Sequence, residues 1–308
     1  MINKIAIVGA NGLVGRHTLE FGRRLGMSVV GIVRSEVGAR LVQSLGGTAV
    51  RVADLGRPAM ATLSPALSGC DGLVYTASVS TGISADRTDP SGLVNVMAAC
   101  REQGVKRLVF LSGLGVTHYG MNVHCTNSYF LGKLAGEVEL FRSDLAITVF
   151  RPSYILGAGD EFLTPLMGRI ERESAIEIPG DGSYRLQPVS ANDAARAILG
   201  ALERDHLPPR VVDLVGPETL SYRSLVGRVA SIVGHPVEIK ERPIDQVLVR
   251  ARESSYFGMT ATDLACLLCD EVSDARATEN LAGGTLETLD AMVTRIRAEI
   301  LESAPVEP

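Results

Sequence analysis

Three glycines between an apolar run and a helical pattern constrain this chain more than any other feature. The stretch Gly9-Ala10-Asn11-Gly12-Leu13-Val14-Gly15 follows the β-rich run Lys4-Ile5-Ala6-Ile7-Val8. It opens a segment, Leu13 to Leu25, whose apolar residues recur at helical spacing. In a strand–turn–helix unit each glycine has its own reason. Gly9 allows the tight turn. Gly12 lets backbone N–H groups approach a pyrophosphate at the helix N-terminus. Gly15 permits close helix–strand packing. The glycines are spaced three and three, against two and three in the standard dinucleotide fingerprint. The context therefore carries the reading; the other reading is a structural turn in a sheet protein of different purpose.

The first half keeps the alternation going. Ser28 to Val33 is a second strand, Val37 to Leu45 a helix, Thr48 to Val52 a strand and Ala59 to Leu67 a helix. Gly72 to Ala77 is a fourth strand, followed by a polar loop from Ser78 to Pro90, a helix from Leu93 to Arg101 and a fifth strand from Arg107 to Leu111. A long helix is predicted over Ser128 to Phe141 and a sixth strand over Ala146 to Phe150. Continuous apolar strands alternating with helices predict a parallel sheet covered on both faces. Right-handed crossovers make this a doubly wound α/β fold of the Rossmann type.

Beyond Arg151-Pro152 the rhythm loosens. Helices are predicted at 161–173, 191–204, 221–233 and 285–300, with short strands at 175–178, 184–189, 211–215 and 236–240. The last five residues are expected to fray. The expected division is a dinucleotide-binding domain over residues 1–155, also receiving elements from about 190–216. A smaller C-terminal α/β substrate region, 156–308, packs on it.

The end of the second strand separates the two nicotinamide cofactors. An acidic residue there would accept the ribose 2′-hydroxyl of NAD, and a basic one would suit the 2′-phosphate of NADP. The strand ends Gly31-Ile32-Val33-Arg34, with Glu36 two positions later. Arg34, joined by Arg16 directly after the glycine loop, favours NADP over NAD; the other reading of either arginine is a solvated surface charge. Asp54, after the third strand, is placed either to hydrogen-bond the adenine or to act as a turn or helix-capping residue.

Charge and cysteine usage narrow the partners. Thirty basic and 35 acidic side chains give a formal charge of −5, with no basic stripe, which argues against nucleic acid. Apolar runs of at most about seven residues fall far short of the ~20 needed to span a bilayer. The N-terminus carries no secretory signature, so a cytoplasmic protein is expected. The five cysteines (Cys70, Cys100, Cys125, Cys266, Cys269) are odd in number and scattered, which argues against a disulfide framework. Cys266 and Cys269 have redox-motif spacing but lie among helical apolar residues, and two core thiols are the expectation. His118, His124 and Cys125 lack zinc-site partners at the usual spacing, so no metal site is expected.

Further motifs follow the glycine loop in order. They are Phe110-Leu111-Ser112-Gly113-Leu114-Gly115, Tyr129-Phe130-Leu131-Gly132-Lys133, Gly136-Glu137, Arg151-Pro152-Ser153 and Gln187-Pro188-Val189 with Asp193. Together they resemble the extended and atypical short-chain dehydrogenase/reductases. Within that superfamily the chain looks most like the branch of the NADPH-binding complex I subunit and its bacterial relatives, the NAD-dependent epimerase/dehydratase-like proteins. The resemblance covers roughly residues 4 to 235. It implies that Tyr129 is the general acid/base and that Lys133 lowers its pKa and holds the nicotinamide ribose. It makes Ser112 the hydroxyl that orients a substrate carbonyl. Thr76 and Ala77 would line the cofactor, and Arg151 and Pro152 would pass beside the nicotinamide. The spacing agrees: four residues make one helical turn, so phenol and ammonium share a face. A nearby cation brings a phenol of reference pKa about 10 closer to working pH.

Two departures bear on function. Catalytic members of the extended branch carry two or three consecutive hydroxyl residues after the fifth strand; here Gly113 follows Ser112. The interval of 17 positions from Ser112 to Tyr129 is shorter than in sugar-nucleotide epimerases of this type. The leading expectation is an NADP-dependent oxidoreductase for a small carbonyl or alcohol. A non-catalytic NADPH-binding accessory or sensor protein is the alternative, and a sugar-nucleotide epimerase or dehydratase a further one. A homodimer or a protein partner is left open. Glu137 and Glu139 are read as the exposed face of the Tyr129 helix, and Asp193 as a support between the two halves.

Overall fold

The computed structural model describes residues 2–56, 60–77, 90–203, 211–253, 256 and 259–303. Its strands are β1 (Lys4–Val8), β2 (Ser28–Val33), β3 (Thr48–Arg51), β4 (Gly72–Tyr75), β5 (Arg107–Leu111), β6 (Ala146–Pro152), β7 (Ile155–Leu156), β8 (Ala175–Pro179), β9 (Arg185–Leu186), β10 (Val189–Ser190), β11 (Val211–Leu214), β12 (Leu220–Ser221) and β13 (Glu238–Arg242). Its helices are α1 (Leu13–Arg24), α2 (Glu36–Ser44), α3 (Met60–Leu67), α4 (Ser91–Gln103), α5 (Ser128–Phe141), α6 (Leu163–Arg172), α7 (Ala191–Glu203), α8 (Tyr222–Val233), α9 (Ile244–Glu253), α10 (Ala261–Leu267), α11 (Arg276–Ala282) and α12 (Leu289–Ser303). A single 3-10 turn covers Leu114–His118.

Seven strands form one parallel sheet in the order β11-β6-β5-β4-β1-β2-β3. The order reverses between β1 and β4, so a crevice opens at the carboxyl ends of those strands, where open α/β sheets take their ligands. The strands form because they are apolar on both faces: Ile5, Ala6, Ile7 and Val8 are all sealed, as are Leu108, Val109 and Phe110. One face packs Ile5, Ile7, Val74 and Val109 under α1 and α7. The other packs Ala6, Val8, Leu73 and Phe110 with Leu63, Leu93 and Val96. Side-chain caps fix the helix starts that border the crevice. Ser35 accepts from the Gly38 amide at the start of α2, and Asn127 from the Phe130 amide at the start of α5.

Beyond β6 a second apolar cluster joins α6, α8, α9, α10 and α12 with the parallel pair β8–β13. The strand expected at 184–189 is two short strands, β9 pairing β12 and β10 pairing β7. Pro188 lies between them; it has no N–H to give a ladder, so a continuous strand is broken there. β6 runs two residues past its expected end, and Arg151 and Pro152 pair with Asp213 and Leu214 of β11. α9, α10 and α11 are not among the predicted helices. α11 returns to the sheet: Leu281 and Ala282 join the core under α7. Residues 78–89 of the polar loop expected over Ser78 to Pro90, and the last five residues, lie outside the described residues. No helix among the described residues is long and apolar enough to cross a membrane.

Candidate active site

The glycine loop has the geometry its spacing predicts. Gly9 has φ +85°, and a Cβ there would stand 2.8 Å from the Ala77 amide nitrogen. The Thr76 hydroxyl donates to the Val8 carbonyl at 2.9 Å and holds this turn against β4. A Cβ on Gly15 would stand 2.2 Å from the Gly9 carbonyl oxygen, so no larger residue fits. Gly12, by contrast, is exposed, and a Cβ there would meet only the Gly9 carbonyl oxygen, at 3.4 Å. Gly12 is the N-cap of α1 and offers no side chain to the amides of the first turn, which contains no acidic residue. Those amides, with the positive end of the helix dipole, face an open approach. Asn11 is exposed, Leu13 half-buried and Val14 buried.

At the end of β2, Arg34 is exposed and has no hydrogen bond or ion pair to another described residue. Glu36, the nearby acid, is paired with Arg51 at 3.1 Å. Arg16 does not stand free beside Arg34: its guanidinium donates to the Ala158 carbonyl. Asp54 is exposed and accepts from the Gly56 amide at 2.8 Å, a turn contact.

The other predicted residues meet at the carboxyl ends of β5 and β6. Tyr129 is half-buried and Lys133 is 3% exposed. The Lys133 ammonium lies 5.7 Å from the Tyr129 ring centroid and 5.3 Å from that of Phe110, and donates to the Leu111 carbonyl at 3.0 Å. One helical turn therefore brings the Lys133 ammonium against the Tyr129 ring. Ser112 is 2% exposed, and its hydroxyl donates to Glu137 Oε1 at 2.5 Å. Arg151 closes on the same carboxylate from β6, with Nε at 3.0 Å from Oε1 and Nη2 at 2.6 Å from Oε2. This bidentate bond, opposed in part by burial, holds the Arg151 pKa above its ordinary value.

Residues 9–204 match the NAD(P)H-binding family. The chain belongs to this family. A 2-alkyl-3-oxoalkanoate reductase of Stenotrophomonas maltophilia is 30% identical over 169 residues, 47% of this chain and 50% of that enzyme, so the match spans half the relative's length. A UDP-N-acetylglucosamine 4-epimerase of Bacillus cereus superposes with TM-score 0.75 over 99% of both chains at 15% identity. An NADPH-dependent quinone oxidoreductase of Escherichia coli, solved with NADPH, superposes with TM-score 0.73 over 95% of this chain and 99% of that one, at 19% identity. At these identities the structural likeness shows the fold alone.

For a member of the NAD(P)H-binding family the residues present fit the cofactor. The Gly12 approach is open and the α1 amides lack a side-chain cap. Arg34 is an exposed cation without a partner among the described residues.

Three expectations need correction or completion. Glu137 is not on an exposed face: it is 1% exposed and anchors both Ser112 and Arg151. The signal was its position, one turn beyond Lys133 and two beyond Tyr129 on the same face of α5. Cys125 and Cys269 form a disulfide across 144 positions, whereas scattered thiols were expected. Sequence spacing holds no trace of a pairing that folding alone creates; Cys266 remains a free, half-buried thiol. The glycines at 113 and 115 also acquire a reason. The Phe130 ring covers both, and a Cβ would stand 3.0 Å from it at Gly113 and 2.3 Å at Gly115. A side chain at Gly113 would require the Phe130 ring, which is 1% exposed, to give by a few tenths of an ångström.

Proposed function

We propose that this protein is an NADP-dependent oxidoreductase acting on a small carbonyl or alcohol substrate, with Tyr129 as general acid/base. The observation that carries this reading is the buried Lys133 ammonium beside the Tyr129 ring. It supports a phenol whose proton moves readily. Gly9, Gly12 and Gly15, with Asn11, Leu13 and Val14, would cradle the pyrophosphate on the α1 amides. Arg34 would meet the 2′-phosphate, with Glu36 held off by Arg51. Asp54 would accept from the adenine, Thr76 and Ala77 would line the cofactor, and Lys133 would hold the nicotinamide ribose. Arg16, committed to Ala158, would support the loop from behind. When bound, the nicotinamide supplies or accepts a hydride. Tyr129 gives the proton to the carbonyl oxygen in reduction and takes it back in oxidation.

Ser112 enters this reading as a positioning residue. Its hydroxyl proton is engaged by Glu137, so its oxygen, not its proton, faces any remaining partner. Arg151 and Pro152 extend β6 beside the reacting centre through the Glu137 bond and the β11 pairing. A Tyr129→Phe variant should lose at least about a hundredfold in kcat with NADPH affinity unchanged. Full turnover by that variant on a true substrate would refute the mechanism.

A second reading has a specific observation behind it. With Phe130 over Gly113, the position after Ser112 supplies no second hydroxyl, and the Ser112 proton is engaged by Glu137. That arrangement also suits a protein that holds NADPH without turning it over. Tight NADPH binding with no hydride transfer across a broad carbonyl panel would favour it.

A further inference from the structure

The apolar cluster at the start of α5 is far smaller than those that hold the sheet and the second half. Its fully buried members are Val116, Cys125, Phe130 and Cys269, and two of these four are the partners of the disulfide. Tyr119, Tyr129, Leu134 and Cys266 pack around them. With so little apolar area of its own, the cluster leans on its covalent tie.

That tie joins the two halves of the chain across 144 positions. On one side, Cys125 ends a loop whose hydrogen bonds turn inward. The Gly120 amide donates to Thr126 Oγ1, the His124 amide to Asn122 Oδ1 and the Cys125 amide to the Asn122 carbonyl. Met121 and Val123 of the same loop are 78% and 80% exposed. On the other side, Cys269 follows α10, its amide donating to the Cys266 carbonyl at 3.1 Å. A second link between the two segments also runs through sulfur: Asn127 Nδ2 donates to Cys266 Sγ at 3.7 Å. α5 starts directly on this clamp. Asn127, two residues after Cys125, caps it through Oδ1. The Tyr129 ring meets the Phe130 ring edge-on with centroids 5.2 Å apart, and Phe130 is seated over Gly113 and Gly115. The residues of β1, β2 and α1 pack in other clusters and share no member with this one.

We propose that the Cys125–Cys269 disulfide is a reversible redox clamp on the Tyr129 end of α5, opened by a dithiol reductant and closed by a disulfide oxidant. The inference rests on the oxidoreductase reading above and names a regulation of that same site: the reduced chain keeps NADPH but no longer holds Tyr129 in place. In opening, one thiolate of the dithiol attacks one sulfur, the S–S bond breaks, and the other cysteine leaves as a thiolate that takes up a proton. The second thiol of the reductant then displaces the mixed disulfide. Two electrons and two protons pass to Cys125 and Cys269, and the reductant leaves as its own disulfide. Both cysteines are sealed, so attack waits on local opening of the exposed loop. Cys266 does not reshuffle the pair: burial pushes its thiol pKa up, and the thiol form is not the nucleophile.

The test compares the full chain purified without reductant with the same chain after incubation in dithiothreitol. Denatured and titrated with a thiol reagent, the first should show three free thiols, Cys70, Cys100 and Cys266, and the second all five. Amide hydrogen exchange, read by mass spectrometry on the native chain, should be at least about tenfold faster over residues 119–131 after reduction and unchanged over 4–33. Both forms should bind NADPH, with affinities within about threefold. Glutathione disulfide should restore slow exchange. Cys125→Ser should exchange fast with or without dithiothreitol, and Cys266→Ser should respond as the wild type does. Five free thiols even after glutathione disulfide, a bond that the native chain never yields to dithiothreitol, or unchanged exchange over 119–131 after reduction would overturn the proposal. So would faster exchange spreading evenly into 4–33, or loss of NADPH binding on reduction, either of which makes the bond a staple of the whole fold. Failure of the oxidised chain to bind NADPH would instead bring down the oxidoreductase reading, while the exchange comparison would still decide the clamp.

Discussion

Two buried acids carry contrasting consequences. Glu137 is fully paired, held by Ser112 and by both ends of the Arg151 fork. Glu137→Ala leaves the Arg151 charge, itself only 19% exposed, without its counter-ion. Removing one partner of a buried pair costs about 3–5 kcal/mol, so urea denaturation should show a loss of that order. A change below ~1 kcal/mol would mean that water replaces the carboxylate freely. Glu271 has no hydrogen-bond or ion-pair partner among the described residues, and burial raises its folded pKa from its ordinary 4.5 to about 8. The folded chain therefore keeps a proton that the unfolded chain releases. Stability should fall as pH rises from about 4.5 to about 8 and level off above. The slope for one proton is at most ~1.4 kcal/mol per pH unit. Denaturation midpoints across that window should decline in the wild type and stay flatter in Glu271→Gln; parallel profiles would contradict the assignment. Neither role was legible in the sequence. Glu137 sits among Phe130, Lys133, Gly136 and Leu140 on a helix whose buried face mixes charge with apolar residues, so a binary pattern cannot assign it. Glu271 acquires its setting only when β9 folds against it.

Elements of the sheet were readable because their physics is local. Apolar runs bounded by glycine and helical periodicity located β1 to β5 and α1 to α5 within two residues at nearly every end. The glycine loop was readable for the same reason, and it makes the sharpest element-level prediction. A Cβ on Gly15 meets the Gly9 backbone at 2.2 Å, and backbone cannot rotate away as a side chain can. Gly15→Ala should lower the thermal midpoint and weaken NADPH binding at least about tenfold, because α1 must move off the turn that presents its amides. An unchanged midpoint with unchanged affinity would show that α1 is not seated as described. The second half resisted reading where the signals conflict. β13, Glu-Ile-Lys-Glu-Arg, is a mostly exposed edge without the apolar character of a core strand, and it begins two residues later than the strand expected at 236–240. α9, α10 and α11 are helices of only 7 to 10 residues, too short for a periodic pattern to rise above composition.

At the scale of the whole molecule, the two halves of the chain are tied together at several points. α11 returns to the sheet and packs Leu281 and Ala282 under α7. Asp193, 3% exposed, accepts from the Glu287 amide at 2.7 Å and ties α7 to the approach of α12. The Cys125–Cys269 disulfide and the Asn127–Cys266 bond join the loop before α5 to α10 and the residues just after it. The glycine loop, Arg34 and the Tyr129–Lys133 pair belong to the half that the sequence makes legible. The central claim, an NADP-dependent site built on α1 and β2, is tested most directly by parallel titrations of the purified protein with NADPH and NADH, followed by nicotinamide fluorescence. NADPH should bind at least about tenfold more tightly, a margin of ~1.4 kcal/mol from the Arg34 contact to the 2′-phosphate. Equal affinities would contradict the assignment of Arg34, and no binding of either would contradict the account as a whole.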